Sequence, residues 1–150
     1  MQKVYILLLT TAMITLMSCS EQELIERRED KIIGSWRFEK AFFTGNNALF
    51  RDNITHLVED DIITFNYDYS AVYDDAGKRT IYDGDWFVVL ETFIDPDGTE
   101  NIYFIDALFY GDRSSDEFGF YAEITWLTQN KMTITFFDNN GEYVYKLEKI

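Results

Sequence analysis

One cysteine, one proline, one histidine and 13 basic side chains in 150 residues set the first limits on this chain. A single cysteine excludes an internal disulfide and any thiolate cluster for a metal. A single histidine, His56, excludes a multi-histidine zinc site. It also has no recognisable Ser and Asp partners for a triad, so it reads as a surface or partly buried residue. Scarce Lys and Arg argue against nucleic acid, which is held by clustered cations; the only adjacent basic pairs are Arg27-Arg28 and Lys78-Arg79. No apolar run is long enough for a stable spanning helix of about 20 residues. The longest, Val4 to Met17, has fourteen residues and is interrupted by Thr10, Thr11 and Thr15.

Aromatic residues, by contrast, are abundant. Thirteen Phe, ten Tyr and three Trp make up 17% of the chain, and apolar residues 47%, a composition that folds rather than stays disordered. Without disulfides, stability must come from packing.

The N-terminal run has a lone positive charge at Lys3, a short apolar stretch, and then Leu16-Met17-Ser18-Cys19. It resembles a bacterial lipoprotein signal ending in a lipobox. The resemblance implies cleavage after residue 18 and acylation of Cys19, with membrane attachment through that lipid. Ser20 is compatible with sorting to the outer membrane, facing either the periplasm or the outside. Without residues 1–18, which hold Lys3 and no acid, twelve basic side chains face 27 acidic ones, a formal charge of −15. So acidic a surface is not drawn to anionic headgroups, which leaves the acyl chains as the means of attachment. The chain therefore divides into a signal (1–18), a lipid-anchored tether with a short helix (19–31) and one folded domain (32–150), whose size suits a single core. Glu21 and Glu23 after the cysteine loosely match an export tag of surface lipoproteins; a plain acidic tether explains them equally.

From Ile32 onward the pattern is of strands: Gly34 to Phe43, Ile62 to Tyr67, Ala71 to Tyr73 with Arg79 to Tyr82, Asp85 to Glu91, Asn101 to Tyr110, Phe118 to Leu127, Met132 to Phe137 and Glu142 to Leu147. Short polar connections at Asp95-Pro96-Asp97-Gly98, Thr128 to Lys131 and Asp138-Asn139-Asn140-Gly141 predict tight antiparallel turns and a meander. Thr44 to Asp61 is the longest connection and predicts a rim loop or lid, with a helical turn near Asn53 to Val58. The last two strands alternate wet and dry faces, but Asn101 to Tyr110 is apolar on both, which predicts a strand covered twice or an exposed apolar patch.

Gly34-Ser35-Trp36, Ile63 to Ser70, Gly84-Asp85-Trp86 and Ile124 to Met132, in this order and spacing, resemble lipocalin-like domains of lipoproteins from the Bacteroidota over residues 31 to 150. The resemblance implies an all-β, up-and-down antiparallel barrel of about eight strands with a short N-terminal helix, closed at the Gly-x-Trp end and open at the other. The chain departs from that family in lacking a Thr-Asp-Tyr-type second motif. No Arg follows Arg113, so the cation that stacks on the Trp of the closed end would have to be Lys146 or Lys149. A barrel of about eight strands is either filled by its side chains or holds one small molecule.

Candidate ligand contacts are Trp36, Trp86, Phe104, Asp106, Trp126, Tyr143 and Tyr145. Trp36 reads first as a plug of the closed end, and Trp86 and Trp126 as packing residues. Asp106 is a desolvated binding group if its face points inward and an ordinary solvated acid if outward; the shortage of basic partners favours outward. Asp95 to Glu100 has oxygen ligands for a cation, but a Pro-Asp-Gly turn accounts for it and the EF-hand pattern is missing. Acidic loops at Glu59 to Asp61 and Asp112 to Glu117 do not by themselves define a glycosidase pair. No metal, cofactor or catalytic set is expected. The leading expectation is a non-enzymatic envelope lipoprotein binding a small apolar or amphipathic molecule in the barrel. The alternative is an interaction module with a filled barrel, docking an envelope protein through a strand surface near Asn101 to Tyr110; a carbohydrate-associated surface protein is a third.

Overall fold

The computed structural model describes residues 21–111 and 117–150; the expected signal segment, Cys19 and most of the acidic stretch Asp112 to Glu117 lie outside the described residues. Helix α1 covers residues 21–32. Glu, Gln, Arg and Leu favour it, and i,i+4 contacts from Gln22 to Glu26 (3.1 Å) and Arg27 to Glu23 (2.6 Å) brace its exposed side. Ile32 at its end is fully buried.

Eight strands follow in a meander: β1 (Gly34–Gly45), β3 (Ile62–Phe65), β4 (Ser70–Asp75), β5 (Thr80–Asp95), β6 (Gly98–Tyr110), β7 (Phe118–Leu127), β8 (Lys131–Phe137) and β9 (Gly141–Lys149). Each pairs antiparallel with the next, and β1 pairs with β9, so the sheet closes into a barrel. The two-residue β2 (Asp52–Asn53) pairs with Phe42 and Phe43, on β1 above its contact with β3. Between β2 and β3 a 3-10 turn at Thr55–Leu57 occupies the place where a helical turn is expected, with His56 exposed on it.

Two expected strands are one. Arg79 to Tyr82 and Asp85 to Glu91 run together in β5, because Asp83-Gly84-Asp85 is not a turn. Asp83 and Asp85 point into solvent, and Gly84 lies where a Cβ would stand 2.2 Å from the Leu108 carbonyl oxygen. The glycine therefore serves a close strand approach. Asp95 does form the expected turn: its carboxylate accepts the N–H groups of Asp97 and Gly98 at 2.9 Å.

Inward positions follow the period of two. On β5 these are Tyr82, Gly84, Trp86 and Val88, and on β6 Ile105, Ala107 and Phe109. The largest fully buried side chains include Trp36, Trp86, Phe65, Phe109, Met132 and Leu147. Each such side chain contributes about 1.5–3 kcal/mol by leaving water.

Candidate functional site

The register separates two ends of the barrel. α1, the β3–β4 and β7–β8 connections and the chain end lie at one end, where Lys149 pairs with Trp36. The pairs Gly45↔Gly141 and Asp75↔Thr80 mark the other.

The first end is closed by packing. Trp36 is fully buried and its indole N–H donates to the Ile32 carbonyl at 2.6 Å, joining α1 to the floor. The Lys149 ammonium stands 5.1 Å from the Trp36 ring centroid and donates to the Lys31 carbonyl at 2.9 Å, so Lys149, not Lys146, is the cation on the tryptophan. Burial pulls the Lys149 pKa below its ordinary value. Gly34, at φ +126°, leaves room for this lysine: a Cβ there would stand 2.6 Å from Lys149 Cε. Gly34-Ser35-Trp36 is thus a closing device. Trp86 is equally buried, donates to the Asn66 carbonyl at 3.0 Å and packs on Phe65 at 5.0 Å. Trp36 is sealed in the floor, and Trp86 reaches only the base of an outer depression of about 300 Å³ that Glu29, Ile33, Tyr67 and Tyr69 also line.

The opposite half is lined by aromatic side chains that remain partly exposed. Tyr145 and Tyr143 on β9 meet Phe136 on β8 at 5.4 and 5.0 Å, and Phe136 meets Phe120 on β7 at 6.3 Å. Across the barrel, Phe118 packs on Tyr73, Tyr82 and Phe109 at 5.0 to 5.4 Å, and Phe38 bridges Tyr73 and Tyr145. The result is an aromatic layer, or cup, of rings packed on one another above the floor, with Tyr73, Tyr145, Phe120 and Phe136 half-buried rather than sealed.

Two buried carboxylates lie beside this cup, Asp75, which pairs with Lys78 at 2.9 Å, and Asp61. Asp61 is 2% exposed, and its carboxylate accepts the Tyr73 hydroxyl at 2.5 Å and the Ala76 N–H at 2.8 Å. The two donors stand in for lost water around a buried anion. Burial first, then the bond to Asp61, push the Tyr73 phenol pKa upward. Burial also raises the Tyr145 phenol to about 12, with Tyr143, Asp138 and Asp61 adding to the shift. Both phenols are therefore neutral at physiological pH, each able to donate and accept hydrogen bonds. Flat stacking faces with neutral hydroxyls suit an apolar or amphipathic molecule better than a highly charged one.

Of the seven candidate contacts, only Tyr143 and Tyr145 stand together in the cup. Trp36 and Trp86 belong to the closed half. Phe104 and Asp106 lie on the outer wall of β6, with Asp106 exposed as its lack of basic partners suggests. Trp126 is 62% exposed: an irregularity between Ile124 and Trp126 breaks the alternation of β7 and turns the ring outward, against the expectation of a packing residue. Sequence reasoning missed Asp61 and Tyr73, twelve residues apart; Glu59-Asp60-Asp61 reads as a solvated acidic run until β3 and β4 pair. Among the described residues no group of three or more His, Cys, Asp or Glu side chains is placed to hold a metal. The chain matches no protein-family model, no curated protein and no solved structure.

Proposed function

We propose that this protein is a lipid-anchored envelope protein, resembling the lipocalin-like lipoproteins, that binds a small apolar or amphipathic molecule in the open half of its barrel. The observation that carries this reading is the division of the interior: Trp36, Trp86 and Phe65 are fully buried in the closed half, while Tyr73, Tyr145, Phe120 and Phe136 of the opposite half remain partly exposed. The ligand stacks between aromatic faces and hydrogen-bonds to the neutral Tyr145 phenol. The role is carriage or sensing rather than catalysis. Cys19 carries the acyl chains, at the outer membrane, facing the periplasm or the surface.

Native mass spectrometry of protein gently extracted from the envelope tests both parts. A covalent acyl mass that persists on denaturation and disappears in Cys19→Ser supports the anchor. A further mass present in the native spectrum and lost on denaturation supports an occupied cup, and it should be absent from Tyr145→Ala. A native mass equal to that of the acylated chain alone, under all loading conditions, would favour a barrel filled by its own side chains.

A further inference from the structure

The outer wall formed by β5, β6 and β7 carries a pattern that the cup does not use. Its outward positions are Ile81, Asp83, Asp85, Phe87, Val89, Glu91 and Phe93 on β5. On β6 they alternate Tyr110, Leu108, Asp106 and Phe104, and on β7 Gly119, Tyr121 and Glu123. Acids are interspersed with large apolar side chains, and none of these positions holds Lys or Arg. The register sets Asp85 opposite Leu108 and Phe87 opposite Asp106, which in turn faces Tyr121. At these pairs a carboxylate therefore lies directly beside an apolar group on the neighbouring strand.

The apolar members are open to solvent. Phe87 is 52% exposed, Tyr110 44%, Tyr121 43% and Leu108 37%. Gly119 sits opposite Leu108, and a Cβ there would stand 2.6 Å from the Ala107 carbonyl oxygen and 3.1 Å from Leu108 Cδ1, so the glycine lets the Leu108 side chain lie flat on the wall. Asp85, Phe87, Asp106, Leu108 and Tyr110 line a depression of about 160 Å³. Tyr110 donates to Asp85 at 3.0 Å and Tyr121 to Glu91 at 2.5 Å, which fixes both rings; Tyr121 stacks one face on Phe104 at 4.7 Å, and Phe87 turns one face to Tyr69 at 5.9 Å. The ion pairs of the described residues lie elsewhere, at Arg27–Glu23, Lys78–Asp75 and Lys131 with Glu39 and Glu148.

We infer that this wall is a docking face for an extended Lys/Arg-rich segment of a partner protein, with one cationic side chain seated in the depression between Asp85 and Asp106 against Phe87. Charge complementarity selects this occupant. A cationic head gains from both carboxylates and from the ring face, and its apolar stem covers Leu108. A second copy of the chain is disfavoured, because pairing two such walls brings acid against acid. The site gives the interaction-module alternative a surface and a partner chemistry. It is separate from the cup, since β5 and β6 turn opposite faces to the two.

Calorimetric titration of the purified protein with hexa-arginine at low ionic strength tests the inference. Asp85→Asn/Asp106→Asn should weaken binding at least tenfold, and Phe87→Ala, which changes no charge, at least threefold. Asp52→Asn/Glu59→Gln removes the same charge from exposed positions away from the wall and should change affinity less than twofold. Amide shifts of the wild type on titration should centre on residues 83–91, 104–110 and 119–123, a readout that does not depend on how a variant folds. Absence of binding, equal loss in the control pair, or shifts spread over the whole surface would overturn the site in favour of a diffuse acidic field. A concentration-dependent dimer dissolved by Phe87→Ala would overturn it in favour of a second copy.

Discussion

Replacing Tyr73 by Phe removes one oxygen and little volume, yet it takes from the buried Asp61 carboxylate its side-chain donor and leaves only the Ala76 N–H. A hydrogen bond to a charged group is worth about 1.5–3 kcal/mol, and Tyr73 is half-buried, so a loss of about 2 kcal/mol is expected. With a urea slope of about 1.5 kcal/mol/M for a domain of this size, the midpoint should fall by about 1.3 M with the slope unchanged. Far-UV dichroism and tyrosine fluorescence, followed in the same denaturation series, provide the assay. Asp61→Asn and the double variant complete a cycle. If the pair acts as a unit, the two costs are not additive, with a coupling of at least about 1 kcal/mol. Additive costs, or a midpoint within about 0.3 M of the wild type for Tyr73→Phe, would refute the claim that this bond stabilises the base of the cup.

Three further outcomes follow from the geometry. Gly34→Ala places a side chain at φ +126° and against Lys149 Cε; it should cost about 1–3 kcal/mol in a thermal melt, and a wild-type melting temperature would show that the closed end needs no glycine. Trp86→Ala should lose about 3–5 kcal/mol, whereas Trp126→Ala, 62% exposed, should stay within about 0.5 kcal/mol, and comparable losses in chemical denaturation would contradict their opposite placement. Burial raises the folded-state pKa of Glu29 above its unfolded value, despite the bond from Tyr69, so the folded state holds the proton more tightly and this group's contribution to stability declines as pH rises through the folded pKa. Glu29→Gln should accordingly be at least as stable as the wild type at pH 7, with any advantage shrinking as pH falls toward about 4.5; an advantage that grows in acid would reverse the sign assigned here.

Local chemistry determined most of the fold. Period-two runs of Val, Ile, Thr and aromatics bounded by Asp-Pro-Asp-Gly and Asn-Gly turns fixed the strands and their antiparallel order, because neighbours joined so briefly have no other partner. The lone cysteine, the sparse cations and the Gly34-Ser35-Trp36 opening were equally legible, as was the excess apolarity of Asn101 to Tyr110. Tertiary structure decided what the strands enclose. Only closure of β1 on β9 placed Lys149 rather than Lys146 against Trp36, and only pairing of β3 with β4 turned an acidic loop residue, Asp61, into a buried acceptor for Tyr73. An irregularity in β7 turned Trp126 outward, and Gly84 joined into one strand two runs expected as separate. The physical reason is common to these cases. Alternation along a strand is local and can be read from sequence, whereas burial depends on which strand lies across the barrel and on single-residue shifts that turn every later side chain to the other face.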